Sequence, residues 1–306
     1  MMAGAVDRSA PIVDAHHHLW DRAANRYPWL DGPVHDRGWG DWSALQQDYL
    51  VSDLLADAAN QSLVKSVHVQ ANVDPADPVA ETAWLEAVAS RPEARGLPTA
   101  IVAYVNFLWD DVEAWIDRHA AFPRVRGIRQ VLNRHDDPVL NRADHDYLSS
   151  EVWRRNLGLL RRHGWSFDAQ VYWHQMPALA ELAAQHPDTT FVLDHAGMPA
   201  ERDVAGLEGW ARGMQRLASC PNVVVKLSGY GMTDTAWTPE RLRPYVLRPI
   251  EWFGPDRAMF GSNFPVDRLM ADYDRLWDAY RMLIADLAPD EQRALLRGTA
   301  ERVYRI

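Results

Sequence analysis

The chain is poor in several features that would otherwise classify it, and cysteine is the scarcest of them. Its 306 residues include one cysteine, Cys220, which excludes an intrachain disulfide framework and a cluster of thiolate metal ligands. No window approaches the ~18 apolar residues of a membrane-spanning helix. Residues 1–10 lack the basic start and apolar stretch of a signal peptide. We therefore expect a cytoplasmic protein.

Positive charge is also scarce. The formal net charge is -10, and the sequence pI is about 5.6. Nucleic acids and anionic membrane surfaces are bound through clustered lysine and arginine, so neither is an expected partner. A small molecule is the expected partner, and the composition leaves a homo-oligomer open.

Apolar residues, by contrast, are plentiful. The chain is 47% hydrophobic and contains 14 tryptophans, enough for one large core with bulky aromatic walls. Barrels of this length commonly form one domain. We therefore expect a single domain over residues 1–306, with a flexible N-terminus over residues 1–10.

Short apolar or β-branched runs recur along the whole chain, and segments with apolar residues at three and four spacing separate them. The eight candidate strands are Ile12-Val13, Val64 to Val69, Thr99 to Val105, Val125 to Ile128, Phe167 to Val171, Thr190 to Leu193, Val223 to Leu227 and Ala258 to Phe260. The candidate helices are Leu54 to Asn60, Val79 to Ala89, Val112 to Ala120, Val152 to Arg162, Pro177 to Gln185, Gly206 to Leu217 and Pro239 to Trp252. This alternation predicts a parallel sheet covered by helices, and eight repeats favour a closed (βα)8 TIM barrel.

The competing architecture is an open doubly wound sheet, which would show a glycine-rich phosphate turn after its first strand. Here that turn is His16-His17-His18, which favours the barrel. The long segment Asp21 to Tyr49, with Trp29 and Trp39, predicts an extended first loop over the barrel mouth. Such a loop can act as a lid.

The histidine run is the first chemical signal. It follows the apolar run Pro11-Ile12-Val13, and side chains alternate along a strand, so His16 and His18 should share one face. Two imidazoles on one face make half a metal site. A histidine tag is the alternative, but a tag would not follow a strand-like run and continue into Leu19-Trp20.

Other polar residues fall where the predicted strands end, and in a barrel those ends carry the chemistry. We expect His174 and His195 to line one pocket with His16 and His18. Each histidine alone is more often structural, but four at strand ends favour a site. The candidate substrate-binding residues are Arg129, Gln70 and Tyr172.

Several ordered motifs resemble the amidohydrolase superfamily, in particular its amidohydrolase-related (family 2) branch. The motifs are Asp14-Ala-His16-His-His18, Tyr27-Pro-Trp-Leu, Gly127-Ile-Arg129, Phe167-Asp-Ala-Gln170, His174-Gln175, Leu193-Asp-His195-Ala-Gly197, Lys226-Leu-Ser-Gly229 and Phe260-Gly-Ser-Asn263-Phe-Pro265. This branch contains sugar lactonases of the L-fuconolactonase type, 2-pyrone-4,6-dicarboxylate lactonase and metal-dependent decarboxylases. The tryptophan-rich first loop is more similar to the sugar-lactonase group.

The resemblance implies roles for individual residues. It makes His16, His18 and His174 ligands of a divalent metal, and three neutral nitrogens with an open position suit zinc. It makes His195 the catalytic acid, base or electrophile. It assigns Arg129 to an anionic substrate group, which a guanidinium fork matches; a salt bridge inside the barrel is the alternative for Arg129.

Asn263 departs from the family pattern, because the family usually has an aspartate there that ligates metal and accepts a proton. An amide supplies neither charge nor a base, so weak or absent metal occupancy is expected. The base would then be His195, with activity rising through roughly pH 6 to 7, or else Asp194 or Asp267. Asp194 would face away from the pocket if the strand continued through it.

The sequence therefore predicts a hydrolase that opens a small acidic lactone, of the sugar-acid or muconate type, by attack of water on its carbonyl. One alternative is a decarboxylase of an aromatic or muconate-type acid. The other is a non-catalytic barrel that binds a ligand, because Asn263 replaces the usual aspartate.

Overall fold

In a computed structural model, which describes residues 6–35 and 37–306, eight strands alternate with helices. The strands are β1 (Ile12–His17), β2 (Leu63–Val69), β3 (Ala100–Ala103), β4 (Val125–Val131), β5 (Ser166–Gln170), β6 (Phe191–Leu193), β7 (Val223–Leu227) and β8 (Ala258–Phe260). The helices are α1 (Pro28–Asp31), α2 (Val51–Asp57), α3 (Pro78–Ala89), α4 (Val112–Ala120), α5 (Glu151–Leu157), α6 (Met176–Gln185), α7 (Val204–Ala218), α8 (Pro239–Phe253), α9 (Tyr273–Leu283), α10 (Pro289–Arg293) and α11 (Thr299–Tyr304). The flexible N-terminus predicted over residues 1–10 lies partly outside the described residues.

The strands form one parallel sheet in the order β1 to β8. The segment after β8 closes the sheet onto β1. The amide of Asn263 donates to the carbonyl of His16 at 2.7 Å, and the amide of His18 donates to the carbonyl of Phe264 at 2.7 Å. The predicted (βα)8 barrel is therefore confirmed.

Four of the helices begin where the chain supplies a side-chain acceptor for their free N–H groups. Ser150, Asp203, Thr238 and Asp272 each accept a hydrogen bond from the backbone three residues on. Both faces of the strands are buried, as expected for a parallel barrel inside a ring of helices. Among the described residues, no helix is long and apolar enough to cross a membrane.

No helix was predicted after the eighth strand, but α9 is the first of three helices that follow it. This helix is capped by Asp272 and buries Tyr273, Leu276, Trp277 and Tyr280 at three and four spacing. Its apolar face is built mainly from aromatic residues. The tyrosine hydroxyls remain inside because they find acceptors: Tyr273 donates to Asp14 at 3.0 Å, and Tyr280 donates to the carbonyl of Gly261 at 3.2 Å.

The predicted first loop leaves the barrel after β1 and returns before α2. Paired backbone hydrogen bonds between Trp20 and Tyr49 close its base. Trp29 donates from its indole to the carbonyl of Ala71 at 2.8 Å, and Trp42 donates to that of His35 at 2.7 Å. These bonds fix the aromatic side chains of the loop against the barrel mouth.

Candidate active site

At the end of β1, side-chain alternation places His16 and His18 on one side, as predicted. Their ring centroids lie 5.1 Å apart, and both side chains are buried. His17 points the other way, with its Nε2 at 2.9 Å from Ser66 Oγ. The pair thus supplies two imidazoles to the inside of the barrel.

The chain leaves the strand geometry directly after β6, and this brings Asp194 and His195 next to His16. We call His16, His18, Asp194 and His195 the cluster. His195 and Ala196 adopt left-handed backbone angles, with φ of 56° and 49°. The ring of His195 lies 4.5 Å from that of His16, and Asp194 Oδ1 lies 3.3 Å from His16 Nδ1. The expectation that Asp194 faces away is therefore wrong, because strand alternation stops at Leu193.

The loop after β7 fixes the orientation of the His195 ring. Its Nδ1 lies 3.0 Å from Ser228 Oγ, so Nε2 is the ring nitrogen left for other partners. Gly229 follows with φ +67°, and a Cβ at that position would lie 2.4 Å from His195 Nδ1. Only glycine leaves room for the ring in this orientation.

His174 does not join this cluster. Strand β5 ends at Gln170, and His174 lies in the turn beyond it, where its Nε2 is 2.9 Å from the carbonyl of Arg134. It lines a separate cavity with His135 and Glu201. The prediction that His174 shares the pocket is wrong, because four further residues carry the chain past the strand end. Gln170 occupies the inward position instead.

The cavity at the barrel mouth has a volume of about 270 Å³. From the barrel it is lined by His18, Arg129, Gln170, His195 and Asn263, and the first loop adds Trp20, Trp29, Arg37 and Trp39. The predicted position of that loop over the mouth is thus confirmed. His16 packs against two of the lining rings.

The other two predicted substrate-binding residues lie outside this cavity. Gln70 lines the neighbouring one, and its backbone carbonyl accepts a hydrogen bond of 2.6 Å from Arg129. Tyr172 is buried, and its hydroxyl donates to the carbonyl of Leu140 at 2.7 Å. Arg129 is inside as predicted and also donates to Gln170 Oε1 at 3.0 Å, while no other described residue forms a hydrogen bond with its buried Nε.

The cluster offers donors that fit a divalent metal. Among the described residues, no hydrogen bond reaches the buried ring nitrogens of His16 or the buried carboxylate oxygens of Asp194, and the only ion-pair contacts of Asp194 are those of Oδ1 with His16 Nδ1 and Lys226 Nζ. One ligand atom each from His16, Asp194 and His195 lies within 4.8 Å of the others. Imidazole and carboxylate are the ligands that zinc prefers, and when bound such an ion would polarise a carbonyl or lower the pKa of a water molecule.

A second contact in the cluster also favours a cation. His18 Nδ1 lies 2.7 Å from the carbonyl of Val69, which can only accept, so that nitrogen carries the proton. The lone pair of Nε2 therefore faces Asn263 Oδ1, itself an acceptor, at 3.3 Å. The amide group of Asn263 is turned this way because its Nδ2 donates to Asp267 at 3.0 Å.

Burial controls the charge states of the site. It lowers the pKa values of His16, His18 and His195 well below the ordinary 6.5, with further lowering from Lys226 for His16, Arg129 for His18 and His16 for His195. Neutral imidazole is the form that binds a metal or accepts a proton. The expected rise of activity between pH 6 and 7 through His195 is thus not supported, because burial moves its titration below that range.

The buried charged groups next to the cluster, Lys226 and Asp168, were not predicted from the sequence. Lys226 in β7 is fully buried, with its Nζ 2.5 Å from Asp168 Oδ2 and 3.5 Å from Asp194 Oδ1. Tyr304 in α11 donates to the same Asp168 oxygen at 2.8 Å. The available signal was a lysine inside the apolar run Val223 to Leu227, since a lysine there is buried only when paired.

Comparisons with known proteins agree with this geometry. The profile of the amidohydrolase family matches residues 13–306. The protein y4mH of Sinorhizobium fredii is 42% identical over 96% of this chain and 98% of its own length. An L-fucono-1,5-lactonase of Burkholderia multivorans is 34% identical over 95% of both chains. A solved amidohydrolase of Burkholderia multivorans with bound zinc is 30% identical and superimposes with a TM-score of 0.79 over 97% of this chain and all of the other.

The match extends over nearly the whole barrel, and the residues at the strand ends carry the motifs that resembled the family. The chain therefore belongs to the amidohydrolase family and is a hydrolase.

Proposed function

We propose that this enzyme hydrolyses a small lactone that carries a carboxylate. The observation that carries the proposal is the cavity of about 270 Å³, which presents His18, His195, Asn263 and Arg129 together. The similarity to an L-fucono-1,5-lactonase over 95% of both chains supports lactone hydrolysis in general. The carboxylate is inferred from the charges of the cavity.

The chemistry requires a proton acceptor beside the lactone carbonyl. The oxygen of water attacks the carbonyl carbon, the bond from that carbon to the ring oxygen breaks, and the ring oxygen takes a proton. Neutral His195, oriented by Ser228, accepts the proton of water through Nε2 and returns it to the ring oxygen. Arg129 stabilises the developing oxyanion.

His195 cannot serve as base and metal ligand at once. Because its Nδ1 is bonded to Ser228, only Nε2 is left for either role. Zinc analysis of protein purified without chelators separates the two. If protein freed of zinc by a chelator still hydrolyses the lactone and His195→Asn abolishes that activity, His195 is the base. If the purified protein contains one equivalent of zinc and His195→Asn loses it, His195 is a metal ligand.

Three arginines make the cavity suitable for an anion. Arg37 stacks over the rings of Trp29 and Trp42 at 5.6 and 5.2 Å, and its buried Nε has no hydrogen-bond partner among the described residues. Arg129 and Arg142 contribute the other two guanidinium groups. None of the described residues lining the cavity is acidic. A guanidinium pairs with a carboxylate in two parallel hydrogen bonds, so an acidic substrate would satisfy these donors.

The test compares two lactones that differ in one group. D-Glucaro-1,4-lactone has a carboxylate where D-glucono-1,4-lactone has a hydroxymethyl group, and proton release reports hydrolysis of both. We expect a preference for the acid of at least about tenfold, since one charge-assisted hydrogen bond contributes about 1.5 to 3 kcal/mol. Arg37→Gln should reduce that preference.

The matched control is Arg26→Gln, in the same loop but exposed and paired with Asp74 at 2.9 Å. It should leave the preference unchanged. Equal rates for both lactones in the unmodified enzyme would overturn the acidic part of the proposal. Carbon dioxide release from an aromatic or muconate-type acid, with no lactone hydrolysed, would make the enzyme a decarboxylase. Stabilisation by sugar acids without any turnover would indicate a binding barrel.

A further inference from the structure

A second cavity adjoins the catalytic one at the barrel mouth. Its volume is about 440 Å³, and both cavities are lined by Trp29, Asn72, Val131 and Arg142. The catalytic cavity collects residues from β1, β4, β5 and the loops after β6 and β8. The second cavity lies over the ends of β2, β3 and β4. A ligand that extends past Asn72 would therefore enter it.

Arg142 and Asp144 line this second cavity and can bond hydroxyl groups, but carboxamides are the commonest polar side chains in its lining. The carboxamides are Gln70, Asn72, Asn106 and Gln130. Gln70 Nε2 donates to Asn72 Oδ1 at 3.4 Å, and Gln130 Nε2 donates to Asn106 Oδ1 at 3.3 Å. Each pair joins a buried glutamine to an asparagine in a loop: Asn72 lies in the loop after β2, and Asn106 lies in the loop after β3. The amides are thus oriented before any ligand arrives.

Gln130, the buried glutamine of the second pair, is fixed by a hydrogen bond from a helix outside the cavity. Trp153, in α5, donates from its indole to Gln130 Oε1 at 2.8 Å. The backbone amide of Leu108 donates to Asn106 Oδ1 at 3.0 Å, so both acceptors of this pair are engaged. No hydrogen bond from Asn106 Nδ2 is found among the described residues. That group is a donor available to a ligand.

Aromatic rings form the rest of the wall. Tyr104 and Trp109 meet edge to face with centroids 5.7 Å apart, and both line the cavity. Trp29 adds a ring on the side shared with the catalytic cavity. An amide group can both donate a hydrogen bond to a hydroxyl group and accept one from it, and it buries no net charge. The faces of aromatic rings pack against the C–H groups of a sugar. Together they match a sugar ring better than an ion or a hydrocarbon chain.

We propose that this cavity is a subsite for a second sugar unit, so that the substrate is the lactone of a disaccharide-derived acid. The inference rests on the lactone hydrolysis of the proposed function, adds the substrate's extension and does not depend on the substrate's carboxylate. The lactone ring lies beside His195, and the sugar attached to it passes Asn72 and Trp29. Asn106 and Trp109 then contact the second ring.

The probes are cellobiono-1,5-lactone and glucono-1,5-lactone, which differ only by one glucose unit. We expect kcat/KM to be at least about tenfold higher for the disaccharide lactone, the effect of one or two added hydrogen bonds and a packed ring face. Asn106→Ala and Trp109→Leu should each remove most of this advantage. Both should leave kcat/KM for glucono-1,5-lactone within about twofold, since neither residue lines the catalytic cavity.

Trp115→Leu is the matched control, because Trp115 packs against Trp109 at 5.7 Å without lining either cavity. It should leave the ratio of the two rates unchanged. An equal kcat/KM for both lactones in the unmodified enzyme, or loss of the ratio in Trp115→Leu alone, overturns the subsite.

If neither lactone is hydrolysed, the proposed function fails for these substrates but the subsite is still tested. Calorimetry then compares the binding of cellobionate and gluconate to the intact protein. Binding of cellobionate at least about tenfold tighter, and lost in Asn106→Ala, supports the subsite. Equal affinity of the two acids overturns it.

Discussion

Asn263 donates from its side-chain amide to Asp267 at 3.0 Å, and this contact fixes the orientation of the amide group. It turns the amide oxygen toward His18 Nε2, at 3.3 Å. The residue that departs from the family pattern therefore still offers an oxygen to the site. Burial raises the pKa of Asp267 to about 7, so the carboxyl behind Asn263 titrates near neutrality.

Asn263→Asp should bind zinc more tightly, because it places a charged oxygen where an amide oxygen faces His18. We expect a gain of at least about tenfold, measured by competition with a chromophoric chelator. Two carboxyl groups would then lie side by side, and one of them would stay protonated. The double variant Asn263→Asp with Asp267→Asn removes that repulsion and should bind at least as tightly. Unchanged affinity in both variants would show that residue 263 does not face the ion.

His16→Gln and His174→Gln should separate the residues that bind metal from those that do not. His16 lies in the buried cluster, and its loss should abolish zinc binding measured by metal analysis. His174 contacts the carbonyl of Arg134 outside the cavity, so its loss should leave zinc content and lactone hydrolysis within about twofold of the unmodified enzyme. Loss of zinc in His174→Gln would restore the three-histidine ligand set expected from the sequence.

Lys226→Met should destabilise the barrel strongly. Its ammonium lies between Asp168 and Asp194, and removing it leaves two buried carboxylates without their cation. We expect the free energy of unfolding to fall by about 3 to 5 kcal/mol, as for a buried pair that loses one partner. Urea denaturation measures this loss. The control is Lys65→Met, which removes a partly exposed pair with Glu301 and should cost at most about 1 kcal/mol.

Glu81 should make stability depend on pH. Burial in α3 raises the pKa of its carboxyl to about 8 from an ordinary 4.5. Between these values the folded protein holds a proton that the unfolded chain has released, so stability falls as pH rises, by up to about 1.4 kcal/mol per pH unit. Urea denaturation from pH 5 to 8 should show this slope, and Glu81→Gln should reduce it, while Asp267 and Asp14, whose pKa values burial raises to about 7 and about 6, keep contributing at the lower end of the range. Glu93→Gln, at an exposed position, should keep it.

The first strand shows how far local patterns reach. An apolar run followed by His16 and His18 was enough to predict a strand and a shared face, because alternation is a property of the extended backbone alone. Strand and helix spacing similarly predicted the barrel and therefore the end of it that carries the site. The helices after β8 were not predicted, although Tyr273, Leu276, Trp277 and Tyr280 of α9 follow the same three and four spacing.

Asp194, His174 and Lys226 show what local patterns leave out. Asp194 turns inward because strand β6 ends at Leu193, and the left-handed turn that follows at His195 packs against Ser228 and Gly229. His174 leaves the pocket because β5 ends four residues earlier. Each depends on where a strand stops, which neighbouring strands and loops decide.

The sequence by itself determined the barrel, the histidines of its first strand and the family to which the chain belongs, since these follow from local periodicity and short motifs. Only the tertiary structure decided which donors meet, where the charges are buried and which residues line each cavity. The physical reason is that these properties depend on contacts between strands far apart in sequence, and on turns whose backbone angles are set by packing.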